Sequence, residues 1–504
     1  MLAPTFHSHS HPVAPLILSL DIGTSSVRAM LFDAHAHVIP GTAAQIKYAA
    51  RTTPAGGNEF DADTVRRDAE RVIDETLARA GELANQVVAV ASDSLVSNVL
   101  GVDESGNAVT PAYTYADTRC ASQVDELRAQ FDERATQQRV GTLFHTSYLP
   151  ARLIWLARNL PQTFRFAKYW MSLGEYFYWN WTGARACSYS VAAWTGLLNR
   201  RALNWDAELI RQLPIAAEQL SPLVDHTHPV GALRAEYATR WAALRHAKFF
   251  PTLGDGAAAN VGSGCVDATR IALTIGTSSA MRIAYPRGAA EIPFGLWSYS
   301  VTRELELLGG ALSEGGMLYD WMNDTLRTDP ATRGDAQVAT LAPDAHGLTV
   351  LPFLAGERAP NWNAHARAAI VGLSLNTQPA EILRAGMESI AYRLGLIFGL
   401  LRGAIPDARQ VIASGGALMK SPVWTQIIAD TLGVPVIAAA EPEATSRGNA
   451  LLALKALGVI GALADLPAQT GAVYEPDAAR HEIYARAMER QNALYDKLVR
   501  QVNT

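Results

Sequence analysis

Two stretches decide the fold: LILSLDIGTSSVRAMLFD at residues 16–33 and RIALTIGTSSAMRIAYP at residues 270–286. Each contains the pentapeptide IGTSS, at Ile22–Ser26 and at Ile275–Ser279, with an apolar run on either side. A β-prone run, a Gly-Thr-Ser turn and a second β-prone run read as a hairpin. Gly23 and Gly276 allow a ligand close to the backbone. The amides and hydroxyls of Thr24, Ser25 and Ser26, and of Thr277, Ser278 and Ser279, form a concavity suited to a phosphate. One such turn is ordinary hairpin chemistry. Two identical copies in one chain of 504 residues predict a duplicated domain, with a phosphate loop in each half and a nucleotide between two lobes.

The copies differ where Asp21 precedes the first loop and Thr274 the second. A carboxylate beside a phosphate loop is repelled unless a cation bridges them, and Mg²⁺ favours one or two carboxylates together with phosphate oxygens. Asp21 is therefore the candidate metal residue; its other reading is an Asp capping its own turn.

Composition narrows the class. Hydrophobic residues make up 49% and charged residues 18%, as in a globular protein with a substantial core. The net charge of −5 argues against nucleic acid or an anionic membrane as partner. Cys120, Cys187 and Cys265 are too widely spaced for a disulfide framework or a zinc site, so a reducing cytoplasm is expected. The first fifteen residues lack the pattern of a signal peptide and read as a disordered tail, His7, His9 and His11 included. No apolar segment reaches membrane-spanning length. The aromatic stretch KYWMSLGEYFYWNWTG, residues 168–183, is interrupted by Lys168 and Glu175 and reads as core or cleft wall.

Along the chain, residues 16–50 read as three strands, Asp61–Ala80 as an amphipathic helix, and QVVAVAS as a buried strand ending near Ser92 and Asp93. A hairpin turn is expected at Glu104–Asn107, a mainly helical stretch over about 122–181, and a long helix over Pro379–Arg402. Alternation of this kind indicates an α/β architecture. The expected division is a tail at 1–15, a first lobe at 16–256 and a second at 257–504.

In LGDGAAAN, Asp255 lies between two glycines at the expected lobe junction. A carboxylate there can accept a hydroxyl proton as the oxygen attacks a γ-phosphate, although Gly-Asp-Gly is also turn chemistry. GDGAAA also fits the G-x-G-x-x-A form of a dinucleotide fingerprint. That fingerprint requires an acid about twenty residues later, where the second IGTSS loop stands instead. A further glycine turn, SGGALMKSP, lets Gly415 and Gly416 pack flat against an adenine or ribose, and EATSRGNALLAL closes another side. No G-x-x-x-x-G-K-[ST] loop occurs, which excludes a P-loop enzyme.

With these motifs in order, the chain resembles the FGGY carbohydrate kinases, which have the actin-like ATPase fold. The resemblance runs from Leu16 to about Leu457 through LDIGTSSVRAMLFD, YADTR, GDGAAANVGSG, IGTSSAMR, LPFLAGERAPNWNAHARAAIVGLS and SGGALMKSPVWTQIIADTLGVPV. TPAYTYADTR, GTLFHTSYLPARLIWL and GLLNRRALNWD are most similar to the gluconokinase branch. The resemblance implies an α/β protein of two actin-like (ribonuclease H-like) lobes with an interlobe cleft. It implies ATP and Mg²⁺, a small carbohydrate substrate, and a homodimer. It matches Asp255 to the catalytic base, Thr24, Ser25 and Ser26 to the first phosphate loop, and Asp21 to the metal. Thr277, with Gly276 and Ser278 beside it, falls on the second phosphate loop, Gly310 in LLGGALSEGG on the nucleotide side, and Gly416 and Asn449 on the adenosine region. Asp117 and Arg119 in YADTR match the sugar pocket, where Arg can pair with a sugar-acid carboxylate, and His145 is expected near them. One departure is notable: related kinases often carry an aromatic or a histidine after the QVVAVAS strand, whereas this chain has SDSLVSNVLGVD, with Asp93, Ser94 or Asn98 as substitute partners. The tryptophan usual before ADTR is Tyr115. The implied reaction is phosphorylation of a sugar, sugar acid or polyol, D-gluconate to 6-phosphogluconate first. The alternatives are a pentulose kinase such as xylulokinase and a non-catalytic sugar sensor of the same fold.

Overall fold

The computed structural model describes residues 12–326 and 335–500. The histidine-bearing tail therefore lies outside the described residues, except that Val13 is already tied in: its carbonyl accepts the Ala34 N–H at 2.8 Å.

The first sheet is built around β1 (Leu16–Ile22), whose seven residues are all buried, the pattern of a central strand covered on both faces. β2 (Ser26–Phe32) returns antiparallel to it, and β3 (Ala44–Lys47) pairs antiparallel with β2. Strand β4 (Val87–Ser94) lies parallel to β1 on its other side. Two short strands, β5 (Lys248–Phe249) and β6 (Leu253–Gly254), both pair parallel with β4. Helix α1 (Ala62–Ala80) starts where the Asp61 carboxylate caps the Thr64 N–H, and stops at Gly81. Val65, Ala69, Val72, Ile73 and Ala80 form its buried stripe, the helical periodicity that presents one face to a core. Thr76 fastens it to the sheet by donating to the Ala29 carbonyl at 3.0 Å. The aromatic stretch becomes α2 (Leu173–Thr182), closed by a Ser172–Glu175 capping box, with its tryptophans and tyrosines buried. Asp255 opens α3 (Asp255–Gly262) directly after β6.

The second sheet repeats the plan. β7 (Arg270–Ile275) and β8 (Ser279–Pro286) form an antiparallel hairpin. With β9 (Trp297–Ser300), β10 (Leu305–Leu312), β11 (Gln410–Ser414), β12 (Val436–Ala439) and β13 (Thr470–Tyr474), the strand order is β9-β10-β8-β7-β11-β12-β13. β11 is parallel to β7, as β4 is to β1. The second loop is followed by α4 (Gly316–Thr325). The long helix α5 (Pro379–Ala404) begins with Pro at its first position and a Glu381 side chain returning to Gln378 N–H; it packs its Leu383, Ile390, Leu394, Ile397 and Leu401 into the core of this sheet. α6 (Pro422–Leu432) packs against it.

The two compact units are not simple halves. The first comprises Met1–Gly264, Tyr299–Leu305 and Glu443–Pro467; the second takes the rest. A linear division at 256/257 puts Glu443–Pro467 in the second half, whereas its helix α7 (Ala444–Ala456) packs on α3, β1 and β4. The cause is a backbone-to-backbone crossing. A Cβ on Gly262 would stand 1.7 Å from the Ala444 oxygen, and one on Gly448 1.9 Å from the Ala258 oxygen, so glycine on both helices lets α3 and α7 touch. The chain then returns to the second unit at Ala468, contributing β13 and then α8 (Ala478–Tyr495). Among the described residues no helix is long and apolar enough to cross a membrane.

Candidate active site

In the first unit, three acidic residues stand at the carboxyl ends of three parallel strands. Asp21 on β1 pairs in register with Asp93 on β4, and Asp93 pairs with Leu253 on β6. Asp255 follows β6 by one residue. The carboxyl ends of parallel strands are where open α/β sheets bind ligands, so the topology alone brings Asp21, Asp93 and Asp255 to one place. Asp255 heads α3 and accepts the Gly256 N–H at 2.7 Å.

Asp21 is held from one side. Arg28, opposite it on β2, donates to its Oδ2 from Nε at 3.1 Å and from Nη2 at 2.6 Å, and reaches Glu443 from Nη1 at 3.1 Å. None of these bonds uses Asp21 Oδ1. Asp93 is fully buried. Its Oδ2 accepts from Asn449 Nδ2 at 2.5 Å, and its Oδ1 has no hydrogen-bond partner. Burial first, then the neighbouring Asp21 and Asp255, push its carboxyl well above the ordinary range. Asn449 also donates to Ser19 at 3.2 Å and is itself fully buried. Its amide thus ties the Asp93 carboxyl and the Ser19 hydroxyl of the first unit.

The first loop leaves Thr24 and Ser25 exposed, with Gly23 and Ser26 half-buried. Gly23 N–H donates to the Ser26 carbonyl at 3.0 Å, and Tyr48 hydroxyl braces the Gly23 carbonyl at 2.6 Å. The second loop leaves Thr277 and Ser278 exposed and buries Ser279, whose hydroxyl donates to the Glu314 carbonyl at 2.8 Å. Gly316 and Met317, at the start of α4, donate their N–H groups to the Gly276 and Thr277 carbonyls. Gly415 has φ +99° and would place a Cβ 2.3 Å from the Ile275 oxygen, whereas a Cβ on Gly416 would meet nothing within 4 Å. The glycine turn thus rests on the strand that leads into the second loop and leaves open space above Gly416. Gly310 is different: its Cβ would meet Leu296, Ala359 and Ile397 at 2.9–3.1 Å, which is interior packing.

Asp117 and Arg119 satisfy each other. The Arg119 guanidinium holds Asp117 and, at 3.0 Å, Glu59, while stacking over Tyr113 and Trp155. Asp117 also accepts the Asn58 N–H. They form a closed wall rather than open hydrogen-bonding arms. His145 is pinned through Nδ1 by the Ser147 N–H and hydroxyl, and Asn98 is used by the Leu95 carbonyl and the Leu173 N–H.

Residues the sequence did not flag also belong here. Arg28 was recoverable from hairpin register, because it stands across from Asp21. Trp194 stacks on Tyr299 with ring centroids 3.6 Å apart and lies against Gly254, the residue before Asp255; no local pattern joins 194 to 299. One further cluster, Asp344, His346 and Glu388, has metal-like spacing. Its atoms are already used: Glu388 takes bonds from Arg384, Tyr392 and Tyr484, and His346 Nδ1 accepts the Leu348 N–H. It is a buried charge network.

Comparison with known proteins identifies the family. Residues 16–262 match the N-terminal domain of the FGGY family of carbohydrate kinases, and residues 271–457 match its C-terminal domain. A gluconokinase of Bacillus subtilis (strain 168) is 26% identical, over 91% of each chain. A glycerol kinase of Alkalilimnicola ehrlichii is 28% identical over 95% of this chain and 97% of that one. A ligand-bound xylulose kinase structure from Lactobacillus acidophilus superposes with a TM-score of 0.89 at 26% identity, covering 96% of this chain and 98% of the other.

Proposed function

The chain belongs to the FGGY family of carbohydrate kinases, and from that premise we propose that it transfers the γ-phosphoryl group of ATP to a hydroxyl of D-gluconate, giving 6-phosphogluconate. The observation that carries the reaction is the placement of Asp255 at the end of β6, beside Asp93 and Asp21 at the ends of the adjacent strands. Asp255 accepts the proton of the attacking hydroxyl, which needs a carboxylate within hydrogen-bond reach of the sugar. Thr24 and Ser25 in the first unit, and Thr277 and Ser278 in the second, offer exposed amides and hydroxyls to phosphate oxygens. Open space above Gly416 suits a flat purine. Arg28 supplies positive charge beside the first loop.

The residues present fit a divalent cation: Asp21 keeps Oδ1 free of Arg28, and Asp93 offers an unpartnered buried oxygen next to it. Mg²⁺ bound there would neutralise charge developing on the transferred phosphoryl group. The wall made by Asp117 and Arg119 shapes the sugar side, with His145 beyond it.

Gluconate is favoured by the gluconokinase relative, and a pentulose such as D-xylulose by the xylulose kinase structure. The free, buried cysteines suit a reducing cytoplasm. ADP release from Mg·ATP with D-gluconate, D-xylulose, D-ribulose and glycerol, run beside Asp255→Asn, decides the reading. Stimulation by gluconate with a matching phosphorylated product supports it. Stimulation by a pentulose alone replaces the substrate, and binding without turnover leaves a sugar sensor.

A further inference from the structure

The two units carry an internal comparison at the same position in the fold. Where β7 meets β11, Thr274 pairs with Ser414, and their hydroxyls share a hydrogen bond at 3.1 Å. Where β1 meets β4, the paired residues are Asp21 and Asp93. Two hydroxyls can satisfy each other, because each is both donor and acceptor; two ionised carboxylates are acceptors only. Nearby positive charge does not resolve this. Arg28 is shared between Asp21 Oδ2 and Glu443 and hydrogen-bonds neither oxygen of Asp93. Asp21 and Glu443 therefore share a single guanidinium. Asn449 fixes Asp93 through Oδ2, which leaves the fully buried Oδ1 as the unsatisfied atom of the pair. A buried unpartnered carboxylate oxygen is costly, and beside a second carboxylate it has the chemistry of a hard-cation ligand.

We propose that Asp93 is a second protein carboxylate of the divalent-cation site, sharing the ion with Asp21, and that Asn449 is the residue that positions it. The proposal rests on the kinase reading for the presence of a metal-nucleotide, but its test does not depend on which sugar is used. It also changes the part given to Asp93: the residue faces the phosphate-bound ion, not the sugar. The hydroxyl pair of the second unit explains why only one of the two duplicated loops takes a metal.

The test is Mn²⁺ binding to the full-length protein in the presence of ADP, followed by the electron paramagnetic resonance of free Mn²⁺. Asp93→Asn keeps an oxygen for Asn449 and removes the charge. It should weaken Mn²⁺ binding about tenfold or more, as Asp21→Asn should, while metal-free ADP binding stays within about twofold of wild type. Asn449→Ala should weaken it less. Unchanged Mn²⁺ affinity in a folded Asp93→Asn protein overturns the proposal, even if sugar phosphorylation is confirmed. If that variant does not fold, anomalous diffraction from wild-type protein with Mn²⁺ and ADP decides: Asp93 Oδ1 in direct contact with the ion supports the assignment, and an ion elsewhere, or reached only through water, overturns it. Loss of sugar-stimulated ADP release from the wild type, with Mn²⁺ affinity lowered as expected in Asp93→Asn, would instead remove the kinase reading and leave the metal site standing.

Discussion

The two IGTSS loops have one sequence and two structures. In the first, Ile22 pairs with Val27, and the turn closes from Gly23 N–H to the Ser26 carbonyl. In the second, Ile275 pairs with Ser279, and closure runs from Gly276 N–H to the Ser278 carbonyl. The second hairpin is tighter by one residue. The neighbours account for it: α4 donates into the Gly276 and Thr277 carbonyls and Ser279 is drawn inward to Glu314, whereas the first loop is braced by Tyr48. The strand ends behind the loops differ more, with two carboxylates and Arg28 in the first unit against two hydroxyls in the second. Identical local sequence thus supplies two exposed Gly-Thr-Ser turns, and the flanking residues make one acidic and the other neutral.

The largest test of that asymmetry is Asp255→Asn. It is expected to lower sugar-dependent phosphoryl transfer by about 10³-fold, read as kcat with nucleotide affinity retained; near-normal turnover would show that the acidic end of the first unit is not where the proton goes. Next come the residues two places after each pentapeptide. Arg28→Ala should reduce kcat/KM about 100-fold with little change in thermal midpoint. Met281→Ala, fully buried in the core of the second unit, should do the reverse and cost about 2–4 kcal/mol. If both variants behaved alike, the loops would not be specialised.

A third pair probes the glycine turn beside the second loop. Gly415→Ala combines positive φ with a Cβ pressed onto the Ile275 oxygen and should cost about 2–3 kcal/mol of stability. Gly416→Ala should stay within about 0.5 kcal/mol while weakening nucleotide binding. The smallest effect is a pH dependence. Burial, set against the Ala355 N–H, raises the Glu314 carboxyl from 4.5 to about 7. An acid with a raised folded-state value contributes stability that is present below its ordinary value and lost as the pH rises to the folded one. The thermal midpoint should therefore fall between pH 4.5 and about 7. Glu314→Gln should flatten that interval, and an unchanged slope would assign the pH dependence elsewhere.

Much of the fold was legible because its signals are local. The hairpins at both loops, α1 with its Asp61 cap, the buried strand ending near Asp93 and the long helix from Pro379 follow from apolar periodicity and capping chemistry. Asp255, the expected catalytic base, and Asp21, the expected metal residue, were singled out by their places beside glycine turns, and the strand register brings both to the carboxyl end of the first sheet. What was not legible depended on register or on distant packing. Asn449 was expected at an adenosine, yet it clamps Asp93, because the crossing of Gly262 and Gly448 carries α7 into the first unit. Asp117 and Arg119 looked like open sugar ligands, yet Glu59, from a remote segment, closes them into a wall.

By itself the sequence determined the duplicated α/β plan, the two Gly-Thr-Ser hairpin turns and the acid beside the first, since turn residues, periodicity and strand-end positions are properties of adjacent residues. The tertiary structure alone decided that Asp93 stands beside Asp21, that Thr274 meets Ser414 in the matching place, and that Glu443–Pro467 belongs to the first unit. Those outcomes depend on which strands pair and which helices can touch, and such contacts join residues far apart in the chain that no local rule relates.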